Sequence, residues 1–323
     1  MTNKLFVRCL ILLTAILITR LGALSLTDAP VTTGSDAKAH TLIPAASQTS
    51  AQLQKHQSEQ DPIATQAATR TLPLTPRWLN EQNKPPLLPP HFVALPGRTF
   101  QMGRTSGYGD DDEIPVHNVT LSPYAICKYE VTQSEWQAVM GTNPAHDHGV
   151  GPECPVYNVS WYDIIRYCNL RSMAEGYTPA YSINGSTNPL NWGVTPTFDS
   201  PAWNAVVCNW DVDGYRLPTD AEWEFAARGG TNSPDYMFSG SNNINLVAWN
   251  DGNATVPGCK PVGSKAPNSL GIHDMSGNLW EYCWDWRDDF TGEDEVDPTG
   301  PINGFLRLAR GGYWLNLPQQ CRV

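Results

Sequence analysis

This 323-residue chain has no repeat of fixed period, no glycine-rich phosphate loop, no serine nucleophile elbow and no histidine–glutamate zinc motif. The absences argue against repeat arrays, phosphate cradles and the common hydrolase centres. Basic charge is also scarce. Lys and Arg number 21 against 32 Asp and Glu, a formal net charge of −11. An acidic chain repels phosphate backbones and anionic lipid surfaces, which argues against nucleic acid as a partner. The uncharged apolar stretch from Cys9 to Thr19 falls short of the roughly 20 residues that a bilayer span requires.

That stretch follows Lys4 and Arg8 and precedes Ala23-Leu24-Ser25, the order of a secretory signal over residues 1–25. Cys9 stands in front of the apolar run rather than behind it, against a lipoprotein signal. An exported protein is expected (periplasmic, cell-surface or secreted), with no stable membrane insertion after cleavage. Removing residues 1–25 takes three basic residues and no acid, and the net charge becomes −14. Residues 26–91 are rich in Thr, Ala, Ser, Gln and Pro and almost lack aromatics before Trp78. So little apolar surface cannot offset the entropy of ordering, and the segment reads as a flexible spacer. Its end, Lys84 to Pro90 with four prolines, is expected to be extended and stiffer.

The remaining residues, 92–323, carry three helix-start signals. Thr219 and Glu222 form a Thr-x-x-Glu capping box after the extended Arg216-Leu217-Pro218, and Gly229 supplies a left-handed stop. The face expected to be apolar holds Trp223, Ala226 and Ala227. Thr132 to Glu135 opens a helix with Trp136 and Val139, closed by Gly141. Ser160 to Asp163 opens another, with Ile164, Ile165 and Cys168 inward, although Asp163 matches the box more loosely. Short capped helices among Gly-, Pro-, Asn- and Trp-rich segments give an α+β class with short sheets and much irregular structure.

Phe100-Gln101-Met102-Gly103, Glu130-Val131-Thr132, Val159-Ser160-Trp161, the capped helix at 215–230 and Gly277-Asn278-Leu279-Trp280-Glu281 follow one another in order. Arg310-Gly311-Gly312-Tyr313-Trp314 and Cys321-Arg322 come next. In that order they resemble the formylglycine-generating enzyme, or sulfatase-modifying factor, family over about residues 92–323. The resemblance implies a fold related to C-type lectins. Active members oxidise a cysteine of a sulfatase peptide to formylglycine with O₂ and copper.

Those members carry Gly-Gly-Ser-Tyr/Trp-x-Cys with a second Cys five residues later, and Cu(I) favours such sulfur ligands. Here Tyr313 stands at the serine position, Asn316 at the first cysteine and Cys321 at the second. One thiol facing a carboxamide is not a copper pair, so copper and formylglycine synthesis are not expected. Cys321 reads as a surviving family thiol or, more simply, as a buried hydrophobe or disulfide partner.

The segment Asp274–Glu281 presents hard oxygens around a glycine turn. The resemblance implies a structural calcium held by Asp274, Glu281 and the carbonyls of Gly277 and Leu279. The plain alternative is a tight turn whose carboxylates cap amides. His146-Asp147-His148 and Asp110–Glu113 read as solvated loops, and the 12 tryptophans as mostly core, with a few available to line a groove. Seven cysteines follow the signal, an odd number, which leaves at least one free or paired to another chain. Family domains continue past Cys-Arg to a closing Gly-Phe-Arg segment, to which the cysteine matching Cys168 can be bridged. The chain stops at Val323, and a shortened product or fragment is expected.

The expected function is a divergent, non-catalytic binding or accessory module acting on an extended peptide, a protein or a glycan. The alternatives are an O₂-dependent metal oxidoreductase of the formylglycine-generating or sulfoxide-synthase type acting on a thiol, and a lectin-like glycan binder.

Overall fold

Capping is where sequence becomes structure most directly. In the computed structural model, which describes residues 88–323 apart from 106–108 and 110, plus the backbone of Cys9 and Leu10, all three capping boxes form. The rest of the signal and the spacer up to residue 87 lie outside the described residues. Glu135 N donates to Thr132 Oγ1 at 3.3 Å while Thr132 N donates to Glu135 Oε2 at 3.0 Å. The looser Asp163 completes its box just as well: Ser160 N reaches Asp163 Oδ2 at 2.9 Å and Asp163 N reaches Ser160 Oγ at 3.1 Å. Each cap contributes about 1 kcal/mol.

The elements in chain order are β1 (Cys9–Leu10), β2 (Phe92–Leu95), β3 (Thr99–Met102), β4 (His117–Thr120), β5 (Tyr124–Cys127), α1 (Gln133–Met140) and α2 (Trp161–Ala174). There follow β6 (Tyr181–Ser182), α3 (Pro201–Asn204), β7 (Val207–Cys208), β8 (Tyr215–Arg216), α4 (Asp220–Ala227), α5 (Ile244–Val247), β9 (Glu281–Trp286), β10 (Glu295–Val296) and β11 (Arg307–Arg310). A four-stranded sheet runs β2-β5-β1-β8, with β2 antiparallel to β5 and β1 parallel to both β5 and β8. The front of the apolar run read as a signal thus supplies a strand that bridges β5 and β8. Strands β3 and β4 are antiparallel, with β10 parallel to β4. Strand β11 pairs antiparallel with β9, setting Arg310 opposite Glu281, and a register shift falls between Arg307 and Ala309. No helix among the described residues is long and apolar enough to cross a membrane.

Helix α2 lays Ile164, Ile165, Tyr167 and Cys168 into one core cluster, where Trp136 stacks on Tyr167 with ring centroids 4.8 Å apart. Helix α4 departs from its expected amphipathic form, because all eight of its residues are buried. The polar side is covered by ion pairs instead of water. Arg216 forks onto Glu222 at 2.7 and 2.6 Å, and Arg310 reaches Asp220 at 2.6 Å and Glu224 at 2.5 Å. Arg228 Nε adds a bond to Glu224 at 2.9 Å. Charged groups stay inside a low-dielectric core only with such partners.

Tryptophan is used as core. Of the eleven described, none is exposed. Arg307 lies between the rings of Trp161 and Trp286, at 3.7 and 3.6 Å from their centroids. Burial lowers its guanidinium to about 10, and the rings return part of that cost through cation–π attraction.

Candidate functional site

The β9–β11 pair holds the two segments that carry chemistry in the sequence. The turn 274–281 runs into β9 at Glu281, and the loop 311–321 leaves β11 after Arg310. Cross-bonds lock them together: Gly277 N donates to Gly311 O at 2.8 Å, and Trp314 N to Asn278 O at 2.9 Å. Gly277 has φ +74, and a Cβ there would meet Trp249 O at 2.2 Å, so only glycine fits against that backbone.

In the loop 311–321, Asn316 and Cys321 do share one small turn, but each is turned to structural use. Tyr313 N donates to Asn316 Oδ1 at 2.9 Å, and Asn316 Nδ2 donates to Gln320 Oε1 at 3.1 Å. The carboxamide closes the turn with both ends. The Cys321 thiol is fully buried and donates to Leu317 O at 3.7 Å. Burial first, and the nearby Asp251 second, raise it to about 12, which keeps it a protonated thiol at neutral pH. Gly312 lies against it, since a Cβ would stand 2.9 Å from the sulfur. A carboxamide already committed beside a single sulfur does not fit a cuprous centre, which favours a pair of sulfur ligands. Tyr313 is half-buried beside Trp314, while Leu315 and Leu317 face solvent.

The turn 274–281 is different. Asp274 Oδ2 accepts from Gly263 N at 2.7 Å, and Glu281 Oε2 accepts from Trp223 Nε1. Their other oxygens, Asp274 Oδ1 and Glu281 Oε1, are buried with no hydrogen-bond partner. Burial raises the Asp274 carboxyl to about 6 and lifts Glu281 well above the ordinary range, Asp274 adding to the latter. Glu130 is a third buried carboxylate, bonded by Asn278 Nδ2 at 2.6 Å and Leu279 N at 3.1 Å. It too is raised, by burial first and then by Asp274 and Glu281. Two orphaned oxygens among buried acids suit a hard cation, and Asp274 and Glu281 would hold calcium with the carbonyls of Gly277 and Leu279. Among the described residues, no three His, Cys, Asp or Glu side chains converge as a ready ligand set.

Sequence reading missed Glu130 as part of this cluster. It stands 148 residues from Asn278, and no local pattern links them. His146 and Asp147 are exposed, as expected of a solvated loop, with His148 part-buried against Trp314 at 5.6 Å. The acidic turn is less open than expected, because Glu113 pairs with Arg322 at 2.5 Å. A 290 Å³ pocket lined by Phe100, Phe225, Arg228 and Asp235 shares no residue with either segment.

The sulfatase-modifying factor enzyme 1-like domain matches residues 79–323. The chaperone protein LppX of Paenibacillus barcinonensis is 41% identical over 242 residues, covering 70% of this chain and 79% of that protein. The formylglycine-generating enzyme of Thermomonospora curvata is 30% identical over 265 residues, 71% of this chain and 84% of the enzyme. The solved structure of Treponema denticola variable protein 1 superposes with a TM-score of 0.64 at 36% identity, covering 72% of this chain and 86% of that one. The α+β fold with few helices and short sheets is the fold of these relatives. The landmarks from Phe100 to Cys321 and the domain match agree: this chain belongs to the sulfatase-modifying factor family.

Proposed function

We propose that this chain is an exported, non-catalytic member of its family, a binding or accessory module rather than a formylglycine-generating oxidase. One observation carries the reading. At the position of the copper pair, Asn316 is bonded at both ends within its own turn and Cys321 is left as one buried sulfur. The same loop turns Leu315 and Leu317 outward at 55% and 47% exposure, an apolar surface suited to an extended peptide or protein. The chaperone name carried by the LppX relative supports an accessory role. Incubation of the purified protein with a Cys-x-Pro-x-Arg peptide, Cu(I) and O₂ tests this. No aldehyde is expected on the peptide, and catalytic turnover overturns the reading. Stoichiometric copper or iron in the purified protein would favour the oxidoreductase alternative instead.

The turn 274–281 supports a second, compatible element: a structural calcium at Asp274, Glu281 and the carbonyls of Gly277 and Leu279. The orphaned oxygens of both acids support it. The ion would supply positive charge to buried carboxylates and no redox chemistry. Calorimetric titration with calcium reads it directly, and absence of heat at millimolar metal rejects it.

A further inference from the structure

Cys154 and Cys259 lie 105 positions apart, in two irregular loops. The fold brings those loops into backbone contact. A Cβ on Gly149 would stand 2.3 Å from Cys259 O and 2.6 Å from its sulfur, and one on Gly258 would stand 2.5 Å from Gly149 N. Both cysteines belong to one buried cluster with Tyr157, Leu279 and Trp314. Cys259 Sγ faces the carbonyls of His148 and Gly149 at 3.4 and 3.3 Å, and that of Pro155, the residue after Cys154, at 3.9 Å. The two thiols are neighbours within that cluster, close enough for each to alter the other's titration.

We propose that Cys154 and Cys259 form a redox dithiol that closes to a disulfide, with Cys154 attacking and Cys259 resolving. The oxidant is a low-molecular-weight disulfide. The Cys154 thiolate attacks one of its sulfurs, an S–S bond forms, and the other half leaves as a thiolate. Cys259 then gives up its proton and attacks the Cys154 sulfur, and the second half leaves. Two protein thiols are oxidised and one external disulfide is reduced to two thiols. The asymmetry suits this order of events. Cys154 is lowered to about 7, chiefly by the Cys259 hydrogen bond with help from Lys260, while Cys259 is raised. The pair is also wired to the 311–321 loop. Lys260 N donates to Asn278 Oδ1 at 2.9 Å, Asn278 O accepts from Trp314 N at 2.9 Å, and the His148 ring packs on Trp314. Closing the disulfide clamps the two loops that frame Trp314.

The full chain, reduced and then treated with oxidised glutathione, tests the proposal. Peptide mapping without reductant should recover one cross-linked peptide joining the segments of Cys154 and Cys259, and reductant should reverse it. Before oxidation, Cys154 should alkylate faster than the other cysteines, with its rate rising through a midpoint near pH 7. The Cys259→Ser variant should stop at a mixed disulfide on Cys154, and Cys154→Ser should form neither product. The oxidised chain should melt several degrees higher than the reduced one, since the bridge closes a loop of about 100 residues. Recovery of both cysteines unpaired after oxidation, or of Cys154 joined elsewhere, overturns the proposal, and the wild-type map decides even if a variant does not fold. None of these outcomes depends on the non-catalytic reading, which the peptide assay tests separately.

Discussion

Two sets of buried carboxylates lie within this fold, and they are treated in opposite ways. On α4, Asp220, Glu222 and Glu224 are each met by an arginine. Around the turn 274–281, Glu130, Asp274 and Glu281 receive amide and indole donors, yet among the described residues none forms an ion pair with Arg or Lys. Residue type and burial are the same, so partners alone separate a closed scaffold from a site open to a cation. The Coulomb attraction of arginine offsets the desolvation of the first set, enough to lower Glu224 and to temper, without cancelling, the rise at Asp220. In the second set that balance is left to protonation or to an added ion, and the raised carboxyls express it.

The largest expected effect breaks the first set. Arg216→Met strands Glu222 inside the core and should cost about 3–5 kcal/mol by chemical denaturation, whereas the double change of Arg216 and Glu222 to methionine should cost less. Equal losses would show that the pair does not behave as a unit.

Next is the second set. The folded-state carboxyl of Asp274, about 6 against an ordinary 3.8, binds its proton more tightly than the unfolded chain does. In chelator, its contribution should be fully present below pH 4 and be lost as pH rises through about 6, on the order of 3 kcal/mol. Calcium at a hundred times its dissociation constant should restore about 2.7 kcal/mol at neutral pH. Asp274→Asn should remove the calcium response and the part of the slope that Asp274 contributes, leaving that of Glu130 and Glu281. Thermal melts across pH, with calcium or with chelator, distinguish these outcomes.

Trp223→Phe removes the indole donor to Glu281 and should cost about 1–3 kcal/mol without calcium. The loss should shrink when calcium is present, if the ion and the indole serve the same carboxylate. A loss indifferent to calcium would uncouple them.

The smallest effect concerns the 311–321 loop. Asn316→Cys breaks two turn hydrogen bonds and should cost about 1–2 kcal/mol. It also restores two cysteines at the family spacing, and Cu(I) titration with Cys154 and Cys259 already joined as a disulfide should detect a site that the unaltered chain lacks. Copper held at the 311–321 loop of the unaltered chain would overturn the non-catalytic reading.

Residue order alone specified the local devices and the family. Capping boxes at Thr132, Ser160 and Thr219, the glycine stop at Gly141 and the substitution of Asn316 and Tyr313 into the copper motif were all legible, because each depends on residues within a few positions. Tertiary structure alone decided the rest. It buried α4 on every side by bringing Arg310 to Asp220, 90 residues away, and it joined Glu130 to Asn278 and Cys154 to Cys259. Only folding showed that Asn316 closes its own turn and that Cys321 keeps its proton. Charge state and ligand readiness depend on what surrounds a group in space, and distant segments supply those surroundings.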